Sequence, residues 1–385
     1  SIGVIDINAF TFSQNTYDAA VAEQSVFVYS SMRHSDIGSA DLTAKINRLG
    51  QPTITKAYVD NDVTGYAVYD YREPYATGIN DIPDAADGDG IAKSVAQDSS
   101  QNLLWVGSPA GDSGNGKVLL YSFSGLGESI SINNVTTYNV TPGHGTLNLG
   151  TEIENLGGGY AAASATDSNN RGQVYILEYV DETASVPQIL IGGNVNNEYF
   201  GSSISASEDG MWLAAGATNP SGAGKVYVYH KFSSSWVLTQ TITDPDNNTG
   251  GLFGHSVSLN ADGSVLAVGA PNNGTGRAYI FNRNIQRTIK ATSGSSITLY
   301  SPVGTSSRVD LRINGVLKTA GTHYTAPSSG ATSITTASAV AAGSLVDVDL
   351  LTYTLVHTQE SQNTDIQYGA SVAANGNFVA VGSPY

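Results

Sequence analysis

The chain has no cysteine, only 2 methionines and 3 tryptophans among 385 residues, and Asp, Glu, Lys and Arg together supply just 13% of it. Without cysteine there is no disulfide framework, no thiol nucleophile and no thiolate-ligated zinc. Lys and Arg number 17 against 33 Asp and Glu, a formal net charge of −16, and the cations are dispersed, which speaks against a nucleic-acid surface. No apolar run reaches the roughly 18 residues of a membrane helix, so no membrane insertion is expected. Helix-period patterning is also missing. What is abundant is Gly (43) and Tyr (21), the composition of a turn-rich all-β protein.

One phrase recurs five times, an apolar alternation closing on small residues. It starts near Gly90, Gly150, Gly201, Gly254 and Gly369, at spacings of 60, 51, 53 and 115 residues, and ends near Gly107, Gly216, Gly269 and Gly382 in the copies that keep a second glycine. A period near 50 points to a propeller or another repeat array. Within a unit, Ser256–Leu259 and Val265–Ala270 read as strands joined by Asn260-Ala-Asp-Gly263, because Asp-Gly supplies the positive φ of a hairpin. A glycine-rich link then leads to a third strand such as Lys225–Tyr229 or Arg277–Phe281, and Trp236–Ile242 makes a fourth. Four antiparallel strands in such a length make one propeller blade.

Phe200-Gly201 and Phe253-Gly254, followed by Val268-Gly269-Ala270-Pro271, a glycine loop and a Tyr-rich strand, resemble the FG-GAP repeat of integrin α-chain propellers. The resemblance covers roughly residues 85–283 and 351–385 and implies an all-β propeller of about five visible blades. Members of that family often hold calcium in an acidic loop between the first two strands. The corresponding loops here, such as Ser207-Glu-Asp-Gly210 and Ala374-Asn-Gly-Asn377, are too short and carboxylate-poor for the several oxygen ligands calcium takes, so no calcium site is carried over.

The longest interval contains a Ser/Thr/Ala-rich insert over residues 284–350. Its Val309-Asp-Leu-Arg-Ile-Asn314-Gly315-Val, Gly321-Thr-His323-Tyr324-Thr and Ala342-Gly343-Ser344 resemble a small β-sandwich-like module of bacteriophage tail and fibre proteins, with His323 and Ser344 at positions where that pattern usually has Asp. The expected organisation is a β-rich segment over 1–55, blades over 56–283, the inserted module over 284–350, and a last, incomplete blade over 351–385. Two Tyr-rich strands in 56–71 are candidates to close the ring. Ser1 in place of Met leads to the expectation of a processed or truncated chain.

Candidate chemistry is sparse. Gly111-Asp-Ser113-Gly-Asn-Gly116-Lys117 contains both Gly-Asp-Ser-Gly and a Gly-x-x-x-x-Gly-Lys, but Val118 follows where a phosphate loop needs Ser or Thr and a helix, and no positioned histidine accompanies Ser113. The reading is a link between strands. None of the six histidines has metal-ligand spacing. Asp244, Asp246 and Asn248 place three oxygen side chains at alternate positions and form a calcium candidate, set against an Asx-rich linker between blades. Trp105 occupies a slot matched by Ala161, Ala214, Ala267 and Ala380, so a large ring replaces a small group, by local repacking or for contact with a ligand.

No repeated set of convergent carboxylates and bases suggests an enzyme, and no cofactor beyond that calcium candidate is expected. The expected function is a non-enzymatic structural or host-surface-binding component of a tailed bacteriophage virion, extracellular in location. Its partners would be other virion or surface proteins in a homo-oligomeric assembly, or a host glycan or surface protein. The alternative is a secreted or cell-surface bacterial adhesin working through propeller loops.

Overall fold

A computed structural model describes residues 54–59, 67–71, 93–124, 131–139, 146–304, 308–361, 367–376 and 378–383. Strands β1 (Ile54–Val59) and β2 (Ala67–Tyr71) form an antiparallel hairpin, as the Tyr-rich pair predicts. This hairpin falls outside the compact unit of residues 86–121 and 135–385 and is described by itself. Its part in ring closure, like the 1–55 segment and Gly90, lies outside what the described residues address.

The first blade is β3 (Val95–Asp98), β4 (Leu103–Ser108), β5 (Lys117–Ser124) and β6 (Ser131–Asn139), paired in that order. In the second, a short β7 (Thr146–Leu147) and β8 (Ile153–Gly157) both pair with β9 (Tyr160–Asp167), followed by β10 (Gln173–Val180) and β11 (Thr183–Leu190). The third is β12 (Phe200–Ala206), β13 (Trp212–Ala217), β14 (Lys225–Phe232) and β15 (Ser235–Thr243). The fourth begins with β16 (Ser256–Leu259), β17 (Val265–Ala270) and β18 (Arg277–Ile289). Strands β19 (Gly294–Thr298), β20 (Asp310–Ile313), β21 (Val316–Lys318) and β22 (Ser333–Val340) belong to the insert, and β23 (Leu345–Glu360) returns to pair with β18. β24 (Ser371–Asn375) and β25 (Phe378–Gly382) form a last hairpin. These antiparallel sheets, four-stranded in the first and third and built around the same four-strand order in the second and fourth, are the blades of a β-propeller fold.

Alternation explains the core. Each strand sends successive side chains to opposite faces, so the second and third blades are apolar toward both neighbours. Trp105, Leu103 and Val118 of the first blade meet Ala161, Ala163, Ala165 and Tyr175 of the second. Ala162, Val174 and Ile176 of the second meet Phe200, Ile204 and Leu213 of the third, and Trp212, Ala214 and Val226 of the third meet Phe253, Leu266 and Tyr279 of the fourth. Phe200 and Phe253 each stand edge-on to a ring two strands on, Tyr227 and Tyr279, with centroids 5.2 Å apart in both cases. Full burial of such a side chain contributes about 2–3 kcal/mol.

Backbone contacts lock the seams between blades. Gly254 has φ +88, and its carbonyl lies against Gly216 of the preceding blade so closely that a β-carbon on Gly216 would overlap it. Gly107 meets Gly150, and Gly269 meets Gly369, in the same way. A serine hydroxyl donates across each of these seams: Ser94 to the Gly150 carbonyl at 3.0 Å, Ser203 to Gly254 at 2.8 Å and Ser256 to Gly369 at 3.0 Å. Two residues on, Ser205 accepts the Leu259 N–H at 3.0 Å and Ser258 accepts the Ala374 N–H at 2.9 Å. Glutamines clamp the outer strands: the Gln188 amide exchanges two bonds with the Trp236 backbone, and Gln240 does the same with Tyr353.

The insert differs from expectation in its borders. β18 and β23 run unbroken from the fourth blade into the module, so the boundaries drawn at 283/284 and 350/351 fall inside strands. Residues 354–360, expected in a last blade, instead pair with 277–282 as the outer strand of the fourth. Asn314 and Gly315 both take positive φ, 51° and 78°, and turn the β20–β21 hairpin as Asn-Gly predicts. A separate core of Leu299, Leu311, Tyr324, Ile334, Val346 and Leu350 fills the space between this sheet and the β19–β22 pair.

Candidate functional site

The linkers that enter the blades bring together the calcium candidates. One Asp244 carboxylate oxygen accepts the Asp246 N–H at 3.0 Å and the other accepts the Asn248 N–H at 3.1 Å, an Asx turn that holds this buried group to its own backbone. Asp246 accepts the Tyr279 hydroxyl at 2.5 Å and the Asn273 amide at 3.0 Å, and pairs with Arg277, which also pairs with Glu360. The Tyr279 hydroxyl first, then Arg277 and Asn273, hold the Asp246 carboxyl below the ordinary carboxylate range. Asn248 donates to the Asn273 carbonyl oxygen at 2.7 Å. Donors and a guanidinium therefore already engage the oxygens a calcium ion would use, and among the described residues no three Asp, Glu or His side chains converge as for a metal.

The third blade repeats this arrangement with Glu198, buried, accepting the Tyr227 hydroxyl at 2.5 Å, while Lys225 stands 3.9 Å away. The shared sequence signal is a cation and a tyrosine two apart at the start of the third strand: Lys225-Val-Tyr227 and Arg277-Ala-Tyr279.

Trp105 is fully buried in the first seam, its ring 5.7 Å from that of Tyr138 and facing the row of small β9 residues. That row gives a bulky ring its room, and no part of it reaches solvent. Its counterpart in the second blade is Ala162, which faces the third blade as Trp105 faces the second; Ala161, matched to it by sequence, points the other way. A one-residue slip reverses the face. Gly111–Lys117 is a link, with a single helical turn at Asp112–Gly114 before β5.

Where the module leaves the fourth blade, Arg283 and Asp349 form an ion pair of 2.8 Å whose side chains are 11% and 8% exposed. The Arg283 guanidinium lies 4.7 Å from the Trp212 ring and donates to the Asp262 carbonyl at 2.8 Å. Burial pushes the Asp349 carboxyl up to about 6 against the opposing pull of Arg283. His230 packs on Trp212 and Phe232 with centroids 4.5 and 4.6 Å apart, its Nδ1 has no partner, and burial lowers its pKa to about 4. Farther out, an open concavity of about 270 Å³ is lined by Lys318, His323, Thr336 and Ser344 among others. It contains both positions at which the module departs from its expected Asp. The Thr319 N–H donates to His323 Nδ1 at 3.1 Å, which leaves Nε2 as the nitrogen available to a ligand.

Residues 236–281, from the outer strand of the third blade into the third strand of the fourth, match the family model of the FG-GAP repeat. That stretch is an FG-GAP repeat. No curated protein matches the chain. Among solved structures it is similar to a Bacteroides fragilis protein assigned as a 6-phosphogluconolactonase (15% identity, TM-score 0.37, 59% of this chain and 60% of that one). It is also similar to the periplasmic gluconolactonase of Pseudomonas aeruginosa (17%, 0.36, 49% and 53%) and to the Dos1 propeller (16%, 0.34, 49% and 44%). The chain thus spans less than two thirds of each of these proteins. Two of them are enzymes by description, and likeness at this level carries none of their chemistry to this chain.

Proposed function

We propose that this chain is a non-enzymatic, host-surface-binding or structural component of a tailed bacteriophage virion, in which the FG-GAP blades form a rigid frame that presents the inserted module. The observation that carries this reading is the continuity of β18 and β23. Two strands running without a linker from blade into module, pinned by the buried Arg283–Asp349 pair, hold the module in fixed orientation. The module's outward sheet face then offers Ile289 and Leu345, which are cross-strand neighbours, with Leu317 nearby and an Arg287–Asp347 pair of 2.6 Å between them. The concavity with Lys318 and His323 adds a place where a glycan or an acidic group fits. The module's likeness to tail and fibre modules supports the viral setting.

Quantitative mass spectrometry of purified particles tests this reading. The chain is expected at a fixed copy number relative to tail proteins. Recovery only as free protein, or in a bacterial envelope fraction, would overturn it in favour of an adhesin.

A further inference from the structure

The seam between the second and third blades breaks the rule of the others. Three seams are clasped by Ser94, Ser203 and Ser256, each hydroxyl donating to the glycine carbonyl that opens the next blade. Strand pairing aligns Glu152 with these serines: Gly150 N–H bonds to the Ser164 carbonyl at 2.9 Å as Gly254 N–H bonds to that of Gly269 at 3.1 Å, and Glu152 stands two residues after Gly150 as Ser256 stands two after Gly254. Glu154 likewise takes the place of Ser205 and Ser258. Ile153 packs toward the first blade and Leu156 toward the third, so Glu152 and Glu154 share the face turned to β12. At the position facing them, Ser202 has a buried hydroxyl without a partner.

A serine hydroxyl donates at any pH, whereas a carboxyl donates only when protonated, and two ionised carboxylates two residues apart on one strand face repel. We propose that the seam between the second and third blades is a proton-operated joint, closed while Glu152 and Glu154 hold a shared proton and loosened when both are ionised. Of the strands directly facing the pair, β12 presents Ser202, Ile204 and Ala206 and β9 presents Ala162 and Ser164, none of them titratable, while Tyr160, Tyr227 and Tyr229 lie in the same seam core. Burial raises the Glu152 carboxyl above its ordinary value, against the opposing pull of Lys93. Burial, reinforced by Glu152, raises Glu154 from an ordinary 4.5 to about 7. The folded seam therefore holds a proton the unfolded chain has released, and the stability this gives falls as pH rises from about 4.5 and is gone above about 7. Gln188 still clamps the outer strands, which limits the loosening to the inner side.

Hydrogen exchange of the full chain at pH 5 and pH 8, corrected for intrinsic rates, tests this. Protection in Ile153–Gly157 and Phe200–Ala206 is expected to drop by about tenfold or more on going to pH 8, while Ser256–Leu259 at the neighbouring seam stays constant; one pKa unit corresponds to tenfold. In the E152S/E154S variant, which restores the hydroxyls, the drop is expected to vanish. Should that variant fail to fold, E154Q, of the same shape and unable to ionise, is read the same way. Equal behaviour of both seams in the native chain, or persistence of the drop in the folded variant, would overturn the proposal.

Discussion

Gly216 and Gly254 lie back to back across the third seam, and the Ser203 hydroxyl that bridges to Gly254 at 2.8 Å fills the remaining space beside Gly216. A side chain at Gly216 must displace both backbone and hydroxyl. Gly216→Val is expected to destabilise by about 3 kcal/mol through overpacking. Gly294→Ala, with nothing near its added carbon, should stay within about 0.5 kcal/mol. Chemical denaturation of the two variants checks this, and equal effects would contradict it.

Arg283 and Asp349 form a buried pair, so removing one partner leaves a charge without compensation. Arg283→Met or Asp349→Leu alone is expected to cost about 3–5 kcal/mol, and the double variant to recover much of the loss. A double-mutant cycle in urea measures the coupling. Additive losses would show that the pair does not act as a unit.

His230 is buried and neutral, with its pKa lowered to about 4 from 6.5, first by burial. Unfolded chains take up a proton that the folded protein refuses in that window. Stability is therefore expected to fall as pH drops from about 6.5 through 4, by on the order of 3 kcal/mol. His230→Phe, which keeps the packing on Trp212 and Phe232, should flatten this part of the profile. Melting curves between pH 4 and 7 compare the two proteins.

Asp246 is neutralised by Arg277 and hydrogen-bonded by Tyr279, and Asp244 is turned onto its own backbone. Millimolar calcium or a chelator is expected to leave the melting temperature unchanged. A rise of several degrees with calcium, lost in Asp246→Asn, would show that the ion displaces Arg277.

The blade pattern was legible because strand alternation and turn glycines are local: Asp262-Gly263 and Asn314-Gly315 turn where their chemistry requires. Register was harder. Ala161 and Ala162 sit in a run of three alanines that carries no sign of which face each takes, and only pairing with β10 decides it. In the first blade, counting back two residues from Ser94, as from Ser256 to Gly254, reaches Ala92 and not Gly90. The module's borders were hidden because β18 and β23 continue a strand pattern through both units. Arg283 and Asp349, 66 positions apart in the numbering of the chain, meet only through that pairing. Glu152 and Glu154 carry no signal of their own in the sequence, because their meaning depends on the serines that occupy the same places in other blades.

A propeller that presents its module on a virion must show that module on the particle surface. Electron microscopy of intact particles incubated with an antibody to the Asn314–Lys318 hairpin tests it most directly, since Val316 and Leu317 there are 58% and 53% exposed. Decoration of one tail or neck position at a constant number of sites per particle is the predicted result. Undecorated particles, from a preparation in which the antibody binds the free chain, would contradict it.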